Sequence, residues 1–303
     1  MTVSVCMIVK NEEKILARCL EGLKTIADEI IVADTGSSDD TKKVAARYTD
    51  KIYDFEWTGD FSDARNFVFS KASGDYIYSA DADEVLDPEN IRRFEILKNC
   101  LIPEVEIVTM VYVNPKDINM AYNDLRERRP KLFKRLRTFT WIDPIHETVR
   151  LDPVVFDSDV EILHCPEENH SSRDFKAFLR VLNEKGDMSD RLWSMYAKEL
   201  FFNGSKEDFL KAEPFFSKRI NGNDSFSSLE AMCVVLRTAL ETGEYGDIRG
   251  FAEEFDKFTV KPAEIDHILG KIFENLGDAE RSEHYYNEAV RDEYFIRADY
   301  KTK

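Results

Sequence analysis

The chain has 303 residues, with 59 acidic against 42 basic side chains and a formal net charge of −17. An excess of this sign excludes the broad basic face that a nucleic-acid partner would need. A hydrophobic share of 43% and an aromatic share of 12% exclude disorder as the default and supply core material for two domains or one large one. Cys6, Cys19, Cys100, Cys165 and Cys233 are odd in number and form no C-x-x-C pair. They read as free thiols of a reducing compartment. No apolar run reaches the length of a membrane span, so a soluble, cytoplasmic chain without a transmembrane segment is expected.

In chain order, Val3 to Val9 is a short, continuous apolar run, the pattern of a buried strand. Lys10-Asn11-Glu12-Glu13 breaks it, with Asn11 placed to cap a helix on which Ile15, Leu16, Cys19, Leu20 and Leu23 recur at helical spacing. Glu29 to Ala33 forms a second strand, ending in Asp34-Thr35-Gly36-Ser37-Ser38-Asp39-Asp40. A third strand is expected at 51–55 and a helix at 61–72. Tyr76-Ile77-Tyr78-Ser79-Ala80 is a fourth strand that runs into Asp81-Ala82-Asp83-Glu84. Asp87-Pro88 opens the next helix. Strand–helix alternation predicts an α/β fold with a mostly parallel sheet, flanked by helices. Its acidic strand ends should share the crevice where such sheets bind ligands. On a regular strand, Asp81 and Asp83 would point to one face, and two hard oxygen donors there suit Mg²⁺ or Mn²⁺ carrying a diphosphate. No G-x-G-x-x-G and no G-x-x-x-x-G-K-[ST] occurs, which disfavours dinucleotide and P-loop chemistry.

Four segments together carry a resemblance. They are Val5-x-Met7-Ile8-Val9-Lys10-Asn11-Glu12, Ile31-Val32-Ala33-Asp34-Thr35-Gly36-Ser37-Ser38-Asp39-Asp40-Thr41, Asp60-Phe61-Ser62-Asp63-Ala64-Arg65-Asn66, and Ser79-Ala80-Asp81-Ala82-Asp83-Glu84. In order and spacing the first half of the chain resembles the family-two inverting glycosyltransferases of GT-A fold. The Trp57-x-x-Asp60-Phe61-Ser62 stretch is similar to the branch with bacteriocin peptide S-glycosyltransferases and lipopolysaccharide-core glucosyltransferases. The resemblance implies a nucleotide-sugar donor contacted by Val9, Asn11, Glu12, Asp34, Arg65, Asp81 and Arg129. Asp34 would accept the imide N–H of uracil, a task for an acceptor-only group, and Arg65 would lie near ribose and diphosphate. Asp81 would contact ribose or a metal-bound water, and Asp83 would bind the metal.

The middle of the chain holds the expected acceptor side. Ile107 to Val113 is a strand. Arg126, Arg128, Arg129, Lys131, Lys134, Arg135 and Arg137 form the one dense basic run, read as a solvated strand face with Leu132, Phe133 and Leu136 turned inward. Arg129 alone is kept as a site residue, since Arg-Arg-x-x-Leu-Phe-Lys recurs in the branch it resembles. Trp141-Ile142-Asp143-Pro144-Ile145-His146-Glu147 lies where the resemblance places the base of inversion. Glu147 is the candidate, with His146 as neighbour or substitute and Asp143 as a further candidate. The stretch Val160 to Pro166 reads as a strand ending in His164, a candidate third metal ligand beside Asp83 and Asp81.

After 170 the β signal disappears. Helices are expected from 171 onward, joined by short Gly-containing loops that predict antiparallel hairpins. Gly270, Leu276-Gly277-Asp278, Tyr285-Tyr286 and Ala289 resemble one tetratricopeptide unit. The expected organisation is a catalytic GT-A domain over 1–170 and an all-α, TPR-like domain over 171–303, the latter suited to docking a protein acceptor or to homodimerisation. The expected function is metal-dependent inverting transfer of a sugar from a nucleoside diphosphate, UDP foremost, to a polypeptide or cell-envelope glycan. The alternative is an inactive nucleotide-binding domain on a helical interaction scaffold.

Overall fold

The computed structural model describes residues 1–114, 126–135, 141–142, 148–149, 153–165, 171–222 and 225–291. The chain divides into two compact units, Met1–Asn169 and His170–Lys303. In the first, the elements run β1 (Val3–Val9), α1 (Leu16–Ile26), β2 (Glu29–Asp34), α2 (Thr41–Ala45), β3 (Ile52–Asp54), α3 (Phe61–Phe69), β4 (Tyr76–Ala80), β5 (Glu84–Val85), α4 (Pro88–Cys100), β6 (Ile107–Val113), β7 (Arg126–Lys134), β8 (Trp141–Ile142), β9 (Thr148–Val149) and β10 (Val155–His164). Eight of these strands form one sheet in the order β3-β2-β1-β4-β7-β6-β10-β5, while β8 and β9 pair separately as an antiparallel ribbon.

Strands β3, β2, β1 and β4 are mutually parallel, β7 runs against both β4 and β6, β6 is parallel to β10, and β5 runs against β10. Six strands therefore share one direction, as the alternating pattern predicts. The apolar runs are continuous because both sheet faces are covered. Val3, Val5, Met7 and Val9 join Leu16, Leu20 and Phe94 in one core. Cys6, Ile31, Ile77 and Phe133 join Val68 and Phe69 in the other.

Two local expectations change. Asn11 does not cap α1; it adopts φ +57°, and the first helical residue is Leu16. Its side-chain oxygen is already taken by the Ser38 N–H at 2.8 Å, so it ties two loops together instead. The chain also leaves strand geometry at Ala80, and the Glu84 N–H closes a turn on the Asp81 carbonyl at 3.2 Å. Asp81 and Asp83 therefore lie on a turn, and the two-residue alternation that would have given them one face does not apply.

At the opposite rim Glu29 fastens the strand starts. Its carboxylate accepts from Ser4 Oγ, Ser73 N (2.6 Å), Ser73 Oγ (2.8 Å) and Lys51 Nζ. Burial alone would raise its pKa; the Lys51 ammonium and the Ser4 and Ser73 donors outweigh that and hold it at about 2. A depressed carboxylate stabilises the fold above its unfolded pKa, and that contribution is lost as pH falls toward the folded value. Glu29→Gln is expected to be about 2–3 kcal/mol less stable than the parent at neutral pH. The gap should close between about pH 5 and pH 2. Denaturant midpoints of the two proteins across that range check this; a gap independent of pH would remove the charge from the explanation.

The second unit contains helices α5 (Ser171–Lys185), α6 (Asp190–Asn203), α7 (Lys206–Ser217), α8 (Phe226–Thr242), α9 (Ile248–Phe255), α10 (Ala263–Asn275) and α11 (Ala279–Arg291). Leu229, Met232, Cys233 and Leu236 pack with Phe255, Ile265, Leu269 and Phe273. α10 and α11 form a tight hairpin: Gly277 turns the chain at φ +73°, and a Cβ on Gly270 would lie 2.8 Å from the Tyr286 ring. Among the described residues no helix is long and apolar enough to cross a membrane.

Candidate functional site

The parallel register brings the acidic strand ends to one rim. Val9 pairs with Asp34 across β1–β2, and Met7 pairs with Ala80 across β1–β4. Asp34 and Asp81 therefore flank the end of β1, about 10 Å apart at the usual strand spacing. The β6 and β10 ends, carrying Asn114 and His164, reach the same rim because these strands run the same way.

Asp34 is 1% exposed. Its Oδ1 accepts from Gly36 N (3.0 Å) and Ser37 N (2.9 Å), a local turn made possible by φ +96° at Gly36. Its Oδ2 is buried with no hydrogen-bond partner among the described residues. A buried acceptor without a donor is costly, and a ligand N–H would satisfy it. The loops beside it are zipped together: Ser37 Oγ accepts from Asn11 N (2.9 Å), Thr41 Oγ1 from Glu12 N (2.7 Å), and Asp39 Oδ2 from Glu13 N (3.2 Å). Asn11 and Glu12 thus frame the rim through their backbone, next to the buried Val9.

Arg65 is not a surface helix residue. It is 7% exposed on α3, donates to Ser79 Oγ, and approaches Asp81 Oδ1 at 3.5 Å. The helix is started by Asp60, whose carboxylate accepts from Ser62 N at 2.8 Å. Asp81 Oδ2 lies 3.5 Å from Lys131 Nζ, which also donates to Glu84 Oε1. Burial would raise the Asp81 pKa, but Lys131, Arg65 and Arg129 hold it well below the carboxylate range. Glu84 goes the other way: burial pushes it up to about 8, against Lys131 and with help from the Asp81 charge. Arg129 sits with its guanidinium 3.9 Å above the Tyr112 ring and its Nε bonded to Glu127 at 2.7 Å.

Asp83 points elsewhere, to His164. Nε2 of that ring is 3.1 Å from Asp83 Oδ2, and its Nδ1 is 3.0 Å from Asn114 Oδ1. The edge strand β5 fixes this contact, since Glu84 pairs with His164 and Cys165 N donates to the Asp83 carbonyl at 2.8 Å. The expected set Asp81, Asp83 and His164 therefore divides: Asp83 and His164 meet, while Asp81 turns to two cations. Among the described residues no three His, Cys, Asp or Glu side chains surround a common point. His146 and Glu147 lie outside the described residues.

Two residues that sequence reasoning passed over are central here. The basic run predicts a solvated face for Lys131, yet the residue is 4% exposed. The register of β6 against β7 shifts between Val108/Leu132 and Thr109/Pro130, so Lys131 occupies a bulge. Pro130 cannot donate to the ladder, and bulges re-aim side chains; a proline inside a basic strand was the available signal. Asn114, which orients His164, carried no such signal.

Comparison with known proteins bears on this rim directly. Residues 4–149 match Glycosyl transferase family 2, a span that contains every one of these strand ends except that of β10. The first unit carries a family 2 glycosyl transferase domain. A TPR repeat-containing protein of Synechococcus elongatus is 36% identical to the chain over 147 residues, covering 48% of this chain and 35% of that protein. The SPbeta prophage-derived glycosyltransferase SunS of Bacillus subtilis is 26% identical over 291 residues, covering 89% of this chain and 66% of that one. The chain thus spans about a third of the first relative and about two thirds of the second. A crystal structure of S. aureus TarS 1-349 overlays with a TM-score of 0.43 at 12% identity, covering 97% of this chain and 93% of that one. In this glycosyl transferase domain the acidic ends of β2 and β4 and the His164 end of β10 line one rim.

Proposed function

We propose that the chain is an inverting glycosyltransferase that takes a sugar from a nucleoside diphosphate, UDP by preference, with a divalent cation bound at Asp83. The observation that carries this reading is the convergence of Asp34, Asp81 and Asp83 on one rim of a family 2 domain. Asp34 Oδ2, buried and unpartnered, is suited to the imide N–H of uracil. Arg65 and Asp81 are placed for ribose and diphosphate.

A cation fits the residues present. Asp83 Oδ1 is buried without a hydrogen-bond partner among the described residues, and the His164 ring is braced by Asn114 as metal-binding imidazoles are. One carboxylate and one imidazole leave coordination positions for diphosphate oxygens, and the imidazole favours Mn²⁺ over Mg²⁺. When bound, the cation would supply charge stabilisation to the leaving diphosphate. Glu147 would take the acceptor's proton. The acceptor is a polypeptide or a cell-envelope glycan, and the helical unit favours a polypeptide because it offers a second docking surface on the same chain.

Incubation with UDP-glucose or UDP-N-acetylglucosamine should release UDP when Mn²⁺ is present and cease on chelation. No UDP binding and no release with any UDP-sugar would remove this reading and leave the domain an interaction module.

A further inference from the structure

The cation at the centre of the acidic turn comes from β7, and its position is built with care. Lys131 is buried between the Tyr78 and Tyr112 rings, its Nζ 5.8 Å from each ring centroid. It reaches two acidic side chains, donating to Glu84 Oε1 and lying 3.5 Å from Asp81 Oδ2. The Glu84 side chain is 2% exposed, whereas Asp81 is 41% exposed and opens onto the rim. Arg65 holds the other oxygen of Asp81, at 3.5 Å. Asp81 is thereby gripped on both oxygens from the protein side, with its remaining surface turned outward.

In the alternation of β7, Arg126, Arg128 and Pro130 are exposed while Glu127 and Arg129 are half-buried; Lys131 continues that inward phase, and the register shift lets Leu132 follow it inward, so that Lys131, Leu132 and Phe133 are buried in succession. Burying an ammonium is costly, and a pair with Glu84 alone would compensate it without contact to the rim. The second contact, to a solvent-facing carboxylate on a turn, is what a purely internal ion pair leaves unexplained.

Resting on the nucleotide site proposed above, we propose that Lys131 is a positioning residue that fixes the Asp81 carboxylate in the orientation that receives the nucleoside diphosphate. Its action passes through Asp81 and does not involve the cation held by Asp83 and His164.

The test is UDP affinity by calorimetry across a Mn²⁺ titration, with thermal unfolding measured alongside. Three proteins are compared: the parent, Glu84→Gln, and the double variant Lys131→Met with Glu84→Gln. The double variant removes both partners of the buried Lys131–Glu84 contact together and keeps an unbranched side chain between the tyrosines, so it is expected to fold. Its UDP affinity should fall about tenfold or more, with the Mn²⁺ dependence retained, while Glu84→Gln alone binds as the parent does. A double variant that binds UDP as tightly as the parent overturns the proposal and reduces Lys131 to an internal ion pair. Equal weakening in Glu84→Gln alone also overturns it, assigning the effect to Glu84. A parent that binds no UDP at any Mn²⁺ concentration removes the nucleotide reading and this inference together, an outcome visible before any variant is made.

Discussion

Asp83→Ala is expected to weaken UDP binding about a hundredfold, or about 2.7 kcal/mol, and to abolish its response to Mn²⁺. The size follows from the donor count. Among the described residues, Asp83 and His164 are the two groups that meet at this point, and Asp81 is occupied by Arg65 and Lys131. Losing one of two protein donors leaves a single imidazole, too little to hold a hard cation against water. The fold should survive, because the structural contact of residue 83 is its carbonyl, which accepts from Cys165 N at 2.8 Å and persists in alanine. His164 keeps its bond to Asn114. Calorimetric titration of UDP with and without Mn²⁺, on parent and variant, measures the effect. Parent-like affinity with an intact Mn²⁺ response would move the cation to another part of the chain.

Glu147→Gln should act on a different quantity. Inversion requires a base to remove the acceptor proton while the nucleophile attacks opposite the leaving diphosphate, and such a base contributes about a hundred- to ten-thousand-fold. Glutamine keeps the size and the hydrogen-bonding reach but cannot accept that proton. Turnover is therefore expected to drop by about that factor, while UDP affinity in Mn²⁺ stays at the parental value, since donor contacts are assigned to Asp34, Arg65, Asp81 and Asp83. Glu147 immediately precedes β9, which pairs with β8. Steady-state rates with a working acceptor, beside UDP calorimetry, separate the two quantities. An unchanged rate would pass the role to His146 or Asp143; a joint loss of rate and UDP affinity would make Glu147 a donor contact.

The fold was legible because its signals are local. Each apolar run from Val3 onward is bounded by polar turn residues, and each helix carries its own repeat of buried positions. The helices of the second unit begin and end close to where their caps and glycines lie: α6 is opened by Ser189 and α8 is closed by Gly243 at φ +76°. β5 was missed because a two-residue edge strand has no pattern of its own; it exists through pairing with Leu163 and His164. The candidate site was legible in its membership for Asp34, Arg65, Asp81 and Asp83, and illegible in how those residues divide their partners.

The amino-acid sequence by itself determined that acidic strand ends gather on one rim. Parallel strands joined by helical crossovers all finish on the same side, so β1, β2 and β4 must carry Val9, Asp34 and Asp81 there together. Only the tertiary structure decided which charge faces which. The turn after Ala80 sends Asp83 to a histidine 81 positions away, and the pairing of β7 between β4 and β6 brings Lys131 to 3.5 Å from Asp81. Contacts of this kind arise from pairing between distant strands, and a rule based on near-neighbour spacing carries no information about a partner so remote in the chain.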